Sequence, residues 1–356
     1  MMISELHAEK YCCKGMLLRF LFLVTAVPLL LYYTGCTAEL NDKITITGET
    51  QGTFYTVTIA APPAGISEDV LNKIINSVLE QIDLQMSTYR EDSEISRFNR
   101  YERTDPFPLS KCIYAVFQMA QTISEQSGGA FDVTVGPLVN AWGFGPDAFK
   151  EPPDETEISS LLDRVGYEKI ILHEDGTISK SRPDVYCDLS AIAPGYTVDI
   201  VAAALESKGI SRYMIEIGGE IKVAGLNADN QPWRLGIEKP VHEGRELQTV
   251  VQMESGALAT SGNYRSMYEI DGKLYAHTID PKTGYPTQHR LASVSVIHRS
   301  CAMADGYATA LMALGEDKAM LFAVKQNLAV MFILAGKDGE SFETVTTPVF
   351  QQYVER

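Results

Sequence analysis

The spacing of apolar and polar positions changes several times along the chain, and each change marks an element. Residues 53–60, TFYTVTIA, are β-branched and aromatic, which predicts a strand. Ser67 then precedes Glu68, Asp69 and a segment with Val70, Ile74, Val78 and Ile82 at helical spacing. That pattern predicts an amphipathic helix with a capped start and those four residues on one face. Ile113, Val116, Phe117, Ala120 and Ile123 predict a second helix, from Ser110 to a stop at Gly128-Gly129. A proline-rich, acidic connection at 146–157 leads to a short helix around 158–165 and strands near 168–173 and 176–180. An Ala-rich helix is predicted over 196–207, closed by Gly209. Strands dominate next, at 212–217, 233–238, 247–253, 273–279 and 292–297. Helices at 303–314 and 316–326 precede last strands at 328–334 and 342–348. There is no internal repeat. Strand pairs joined by short turns, with helices unevenly interspersed, predict an α+β fold and not a regular βαβ winding.

The amino terminus follows a different pattern. From Met16 it reads MLLRFLFLVTAVPLLLYYTGC, with Arg19 as the positive region, Phe20 to Leu31 as the apolar region, and Thr34-Gly35 as small residues before Cys36. This is the layout of a bacterial secretory signal. Small residues directly before a cysteine resemble a lipobox, although Tyr33 stands where Leu is usual. The apolar run is shorter than the roughly 20 residues needed to span a bilayer. We therefore expect a leader over 1–35 whose translation starts at Met16, a lipid-anchored linker over 36–43, and a folded domain over 44–350. The expected location is the periplasmic face of a bacterial membrane, with a lipidated Cys36 as the anchor.

Composition narrows the function classes. Of 356 residues 45% are hydrophobic and 21% charged, which excludes a disordered or collagen-like chain. The 46 acidic against 30 basic side chains leave a net charge of -16. Removing 1–35 takes away Glu5, Glu9, Lys10, Lys14 and Arg19 and so leaves -17. Nucleic acid is excluded as a partner, because its binders neutralise phosphates with clustered Lys and Arg. Any anionic ligand needs local positive charge or a metal. Beyond Cys36 the exported chain keeps Cys112, Cys187 and Cys301, too few and too scattered for a disulfide framework, and no CxxC or HExxH spacing points to zinc.

Motif absences come next: there is no GxGxxG, GxxxxGK[ST] or GxSxG. Four other segments could carry chemistry. In ADGYAT, residues 304–309, Asp305 and Thr309 are spaced i,i+4, so both oxygens share one helical face and suit a hard cation such as Mg²⁺. A capping Asp and a packing Thr give the same spacing. In DLSAIAPGYTVD, residues 188–199, small residues precede a helix start near Tyr196, where free N–H groups could bind phosphate or the turn could simply pack. In HTIDPKTGYP, residues 277–286, His277 and Asp280 at a strand end could form a general base pair, or the segment could be an ordinary turn. In GGAFDVTVGPLVNAWGFG, residues 128–145, Asp132 stands among aromatics that could enclose a flat ring or belong to the core.

Their order along the chain is more specific than any one of them. GTFYTV at 52–57, MSTYREDSEISRFN at 86–99, GGAFDVTVGPLVNAWGFG at 128–145, DLSAIAPGYTVD at 188–199, IGGEI at 217–221, ALATSGNYR at 257–265, HTIDPKTG at 277–284 and ADGYATALMALG at 304–315 together resemble the ApbE family of FAD:protein FMN transferases, over about residues 44–335. The resemblance implies mixed, largely antiparallel sheets with helices packed around them and FAD in a cleft between two lobes. It also implies transfer of the FMN half of FAD to a Thr or Ser hydroxyl of a flavoprotein subunit, with AMP as the leaving product and Mg²⁺ on the diphosphate. By motif position the metal ligands fall on Asp305, Thr309 and the backbone oxygen of Ala191. The FAD contacts fall on Gln51, on Ser87, Thr88 and Tyr89, on Asp132, on Pro194, and on His277, Ile279 and Asp280. His277 is the expected acceptor of the hydroxyl proton. Pro194 stands where many members carry Lys. Hydrolysis of FAD to FMN and AMP, and a non-catalytic exported flavin carrier, are the alternatives left open.

Overall fold

The computed structural model describes residues 43–145, 151–241, 244, 246–263, 267–270, 273–336 and 341–355. The expected leader, Cys36 and nearly all of the linker lie outside the described residues.

In chain order the elements are β1 (Lys43–Thr50), β2 (Thr53–Ala60), α1 (Glu68–Met86), α2 (Glu94–Asn99), β3 (Phe107–Pro108), α3 (Lys111–Ser127), α4 (Gly136–Ala141), α5 (Glu155–Leu162), β4 (Ile170–Leu172) and β5 (Thr177–Lys180). Then follow α6 (Ala193–Glu206), β6 (Tyr213–Ile217), β7 (Glu220–Ala224), β8 (Trp233–Glu238), β9 (Leu247–Met253), β10 (Ser255–Gly262), β11 (Met267–Ile270) and β12 (Lys273–Ala276). The chain closes with β13 (Leu291–His298), α7 (Cys301–Leu314), α8 (Glu316–Lys325), β14 (Ala329–Ala335) and β15 (Phe342–Thr346). Eight strands form one sheet in the order β1-β2-β6-β7-β10-β13-β14-β15, antiparallel at every junction. The α+β expectation with largely antiparallel sheets holds. Among the described residues no helix is long and apolar enough to cross a membrane.

Alternation in β14 shows how the sheet is buried on both faces. Val330, Phe332 and Leu334 join the core under the helices, while Ala329, Met331 and Ile333 join a second core with Trp233, Leu235 and Val251 of the β8–β9 hairpin. A continuous apolar run is what such a strand requires.

The first helix forms as its sequence predicts, and Ile82 is buried as expected, but over its first three turns the buried face is shifted by one residue. Ser67 caps it by accepting from Val70 N. The buried positions are Leu71, Ile75, Leu79, Ile82 and Met86, while Val70 is exposed. Val70, Ile74 and Val78 form a flanking stripe, which apolar spacing alone does not separate from the core stripe next to it. The second helix ends as read, with Gly128 in the left-handed region at φ 62°. Strand β10, SGALATSG, is invisible to propensity because six of its eight residues are Gly, Ala or Ser. Their size has a structural reason, since Ala257 and Ala259 face helix cores and α7 presents Ala302, Ala304, Ala308 and Ala310 as buried residues.

Candidate functional site

Helix α7 is fixed at its start by a neighbouring carboxylate. Asp199 of α6 accepts through Oδ1 from Cys301 N at 3.1 Å, and through Oδ2 from Ala302 N at 3.1 Å and Ser300 Oγ at 2.7 Å. Lys222 Nζ of β7 closes the network on Asp199 Oδ1 at 2.6 Å. A negative group there satisfies N–H groups that have no partner within the helix. One turn further on, Asp305 is thereby held buried against α6.

Asp305 Oδ2 accepts from Gly195 N at 3.0 Å. A Cβ on Gly195 would lie 2.5 Å from the Cys301 carbonyl oxygen and 2.8 Å from Asp305 Cβ, so only glycine lets the two helices approach this closely. Burial pushes the Asp305 carboxyl up to about 7, against the lowering effect of the Gly195 N–H. Thr309 stands one turn later on the same helix and is half-buried.

Helix α6 starts at Ala193, three residues earlier than its sequence predicts. Ala193 N–H donates to Leu189 O, Pro194 has no N–H, Gly195 N–H goes to Asp305 and Tyr196 N–H to Ile192 O. The expectation of free N–H groups for phosphate at this helix start is therefore corrected: the helix's own turn and Asp305 use them.

Two cavities adjoin these helices. One, of about 650 Å³, is lined by Asp305, Thr309, Ala191, Asp132, His277 and Ile279 among others. The second, of about 1080 Å³, is lined by Gln51, Ser87, Thr88 and Pro194 among others. Tyr89 and Ser190 belong to both walls. Of the residues read from the sequence, only Asp280 lines neither. Its Oδ1 accepts from Lys282 N at 2.9 Å and its carbonyl from Gly284 N at 2.8 Å, which makes it the organiser of the DPKTG turn.

Several side chains have structural partners as well as cavity positions. Asp132 Oδ1 accepts from Thr134 N and Thr134 Oγ1, and Oδ2 from Tyr167 N, so this carboxylate ties its loop together. Gln51 occupies a tight two-residue hairpin turn with Gly52, at φ 50° and 73°, and its Nε2 donates to Thr197 Oγ1 at 2.8 Å. That bond pins the β1–β2 hairpin to α6. Trp142 is core: its indole N–H donates to Gly284 O at 2.8 Å and its ring lies 5.3 Å from that of Tyr275. Phe144 lines the smaller cavity, with its ring centroid 6.3 Å from that of His277.

The walls are acidic. Among the described residues lining either cavity, Arg90 is the one Lys or Arg, and it is held by Asp83 at 3.1 Å and Asp92 at 3.0 Å. Glu220, Asp188 and Asp199 are residues of the site region to which the sequence assigned no role. All three stand inside quoted motifs, Glu220 in IGGEI and Asp188 and Asp199 at the two ends of DLSAIAPGYTVD, but the helix that Asp199 caps begins 101 residues away and leaves no local signal of that role.

Among the described residues no three His, Cys, Asp or Glu side chains cluster so as to hold a metal. A hard cation does not need such a cluster, since Mg²⁺ takes one or two carboxylates and completes its shell with other oxygens, waters and substrate phosphates. Asp305, Thr309 and Ala191 line the same cavity, and a carboxylate, a hydroxyl and a backbone carbonyl are the oxygen types such a cation takes.

The ApbE family profile matches residues 51–332. A Vibrio cholerae protein called FAD:protein FMN transferase is 41% identical over 334 residues, covering 94% of this chain and 99% of its own. An Escherichia coli K12 protein of the same name is 36% identical over 337 residues, covering 91% and 95%. Among solved structures, the flavin transferase ApbE from Vibrio cholerae superposes with a TM-score of 0.81 at 40% identity, over 88% of this chain and 99% of that one. The apo flavinyl transferase ApbE of Pseudomonas stutzeri gives 0.80 at 34% identity, over 88% and 96%.

Proposed function

The chain belongs to the ApbE family, and from that premise we propose that it transfers the FMN moiety of FAD to a Thr or Ser hydroxyl of a target flavoprotein with the help of Mg²⁺ held at Asp305. Transfer of FMN from FAD to a protein is the activity; the hydroxyl, the cation and the residue roles are the reading developed here. The observation that supports it most is the buried Asp305 carboxylate, held by the Gly195 N–H, in a cavity whose described lining has no Lys or Arg. A diphosphate cannot sit against such a wall unless a cation accompanies it.

Asp305, Thr309 and the Ala191 carbonyl would hold the cation, and when bound it neutralises charge on the diphosphate. The chain's own residues do the rest. The acceptor hydroxyl oxygen attacks the phosphorus of the FMN half, the bond from that phosphorus to the bridging oxygen breaks, and AMP leaves. The hydroxyl proton passes to a ring nitrogen of His277, which lines the same cavity as Asp305 and Thr309. Ser87, Thr88, Tyr89, Gln51 and Pro194 shape the adjoining cavity, which offers room for the other half of FAD. Asp132, with both oxygens committed to its loop, acts by holding the wall, and Ile279 and Phe144 give it apolar surface.

The test is Mg²⁺-dependent labelling. Chain, FAD and a candidate acceptor should yield a fluorescent acceptor after denaturing electrophoresis, lost in EDTA; cut FAD with an unlabelled acceptor would instead mean hydrolysis. The leader and Cys36 support an exported lipoprotein anchored at a membrane, and Cys36→Ser should release the chain into the soluble fraction.

A further inference from the structure

We propose that Asn263 is a positioning residue for His277: through the hydroxyl of Thr278 it fixes the base against the sheet on which the Asp305 helix packs. The inference rests on the reading of His277 as the group that takes the hydroxyl proton, and adds the residue that holds it in place. His277 follows directly on β12, which pairs with β11 in a two-stranded sheet separate from the eight-stranded one. Asp305 stands on α7, which packs on β10 and β13 of the large sheet. Base and cation site are therefore carried by different sheets, and their separation depends on what joins the two.

Asn263 is such a joint. It follows the last residue of β10, and its N–H donates to Ala292 O at 3.1 Å, which continues the pairing of β10 with β13. Its Oδ1 accepts from Thr278 Oγ1 at 2.8 Å, and both residues are buried. Thr278 adjoins His277 and lines the same cavity. Neighbouring residues share a planar peptide, so clamping the Thr278 side chain restricts where His277 points. From Thr278 onward the segment closes on itself. Thr287 N–H donates to Thr278 O at 2.9 Å, Ile279 pairs with Pro286, and Asp280 N–H donates to Tyr285 O at 2.9 Å. The Trp142 indole anchors the far end of this hairpin at Gly284 O, and Asn263 anchors the end that carries His277. An apolar pair of the same shape would fill the space at little cost, whereas a hydroxyl–carboxamide bond also fixes direction. The two residues come from different motifs, ALATSGNYR and HTIDPKTG, and this bond joins them.

The test measures the rate of acceptor labelling at saturating FAD and Mg²⁺, and FAD affinity by fluorescence quenching. The variants are Thr278→Val, Thr278→Ser, Asn263→Ala, His277→Ala, and Thr278→Val combined with His277→Ala. Thr278→Val keeps the shape of the side chain and removes its donor. It should slow labelling about tenfold or more while FAD affinity stays within about twofold of wild type, because misplacing a reacting group by about 1 Å costs up to about 10²-fold in rate. Asn263→Ala should do the same, and Thr278→Ser, which keeps the hydroxyl, should recover most of the rate. In the His277→Ala background Thr278→Val should cost nothing further, since the residue it positions is gone. A bond that merely stabilises the fold would lower the denaturant midpoint and leave the rate per folded molecule unchanged. Wild-type labelling by Thr278→Val or Asn263→Ala, an equal loss of rate and FAD affinity, or the same loss with and without His277 overturns the role of Asn263 and leaves the His277 reading standing. Labelling by His277→Ala at the wild-type rate overturns the base reading itself, and this proposal with it. Should Thr278→Val fail to fold, Asn263→Ala is read by the same criteria.

Discussion

Gly195 N–H donates to Asp305 Oδ2 at 3.0 Å, and this single bond joins the start of α6 to the first turns of α7. It makes the position of the carboxylate depend on how closely the two helices pack. Gly195→Ala would place a Cβ 2.5 Å from the Cys301 carbonyl oxygen, a contact that the backbone must move to relieve. We expect a loss of about 1–3 kcal/mol, typical of overpacking a tight core, read as a lower denaturant midpoint. Activity should fall further than stability does, because the displaced atom neighbours Asp305.

Asp305 also sets a pH dependence. Its folded carboxyl titrates near 7, against about 3.9 in an unfolded chain. Between those values the native state binds a proton that the unfolded state does not, so this group makes the cation-free protein less stable as pH rises from about 4 to about 7. Glu220, also raised, contributes with the same sign. Denaturant midpoints in EDTA should show the difference in stability between Asp305→Asn and wild type growing across that window. A constant difference would mean that Asp305 is ionised throughout.

Asp199 is the third lever. Its carboxylate satisfies two α7 N–H groups, the Ser300 hydroxyl and Lys222 at once, and the ion pair is largely buried. Asp199→Ala strands Lys222 as well as the helix start and should cost about 3–5 kcal/mol, as removal of one partner of a buried pair does. Asp199→Ala Lys222→Met should recover part of that loss, measured as a double-mutant cycle by chemical denaturation.

His277→Ala separates chemistry from binding. Loss of a positioned base costs about 10²–10⁴ in rate. The rate of acceptor labelling should fall by that order while FAD affinity, read by fluorescence quenching, changes little. Equal losses in both would make His277 a binding residue.

Much of this site was legible in the sequence because its residues cluster in short segments. Asp305 and Thr309 share a helix face, which spacing alone reveals, and the order of eight motifs assigns His277, Ala191 and Tyr89 to the same site, and all three line the cavity that Asp305 lines. What stayed hidden depends on tertiary contact. Gly195 reads as a loop glycine until Cys301 is found against it. Asp199 caps a helix that lies 101 residues away. Strand β10 is built mostly of Gly, Ala and Ser, residues with low strand preference chosen by the close approach of α7. The core face of α1 was missed by one residue because Val70, Ile74 and Val78 form a stripe beside Leu71, Ile75 and Leu79, and only packing decides between them.

The central claim is transfer, and mass spectrometry of the acceptor tests it most directly. The mature chain is incubated with FAD, Mg²⁺ and a respiratory or redox subunit carrying a candidate Thr, with Asp305→Ala in parallel. The account predicts that the acceptor gains one FMN on a Thr or Ser hydroxyl, that AMP appears in equal amount, and that Asp305→Ala gives neither while remaining folded. AMP released with no mass added to the acceptor, or labelling by Asp305→Ala as fast as by wild type, would contradict it.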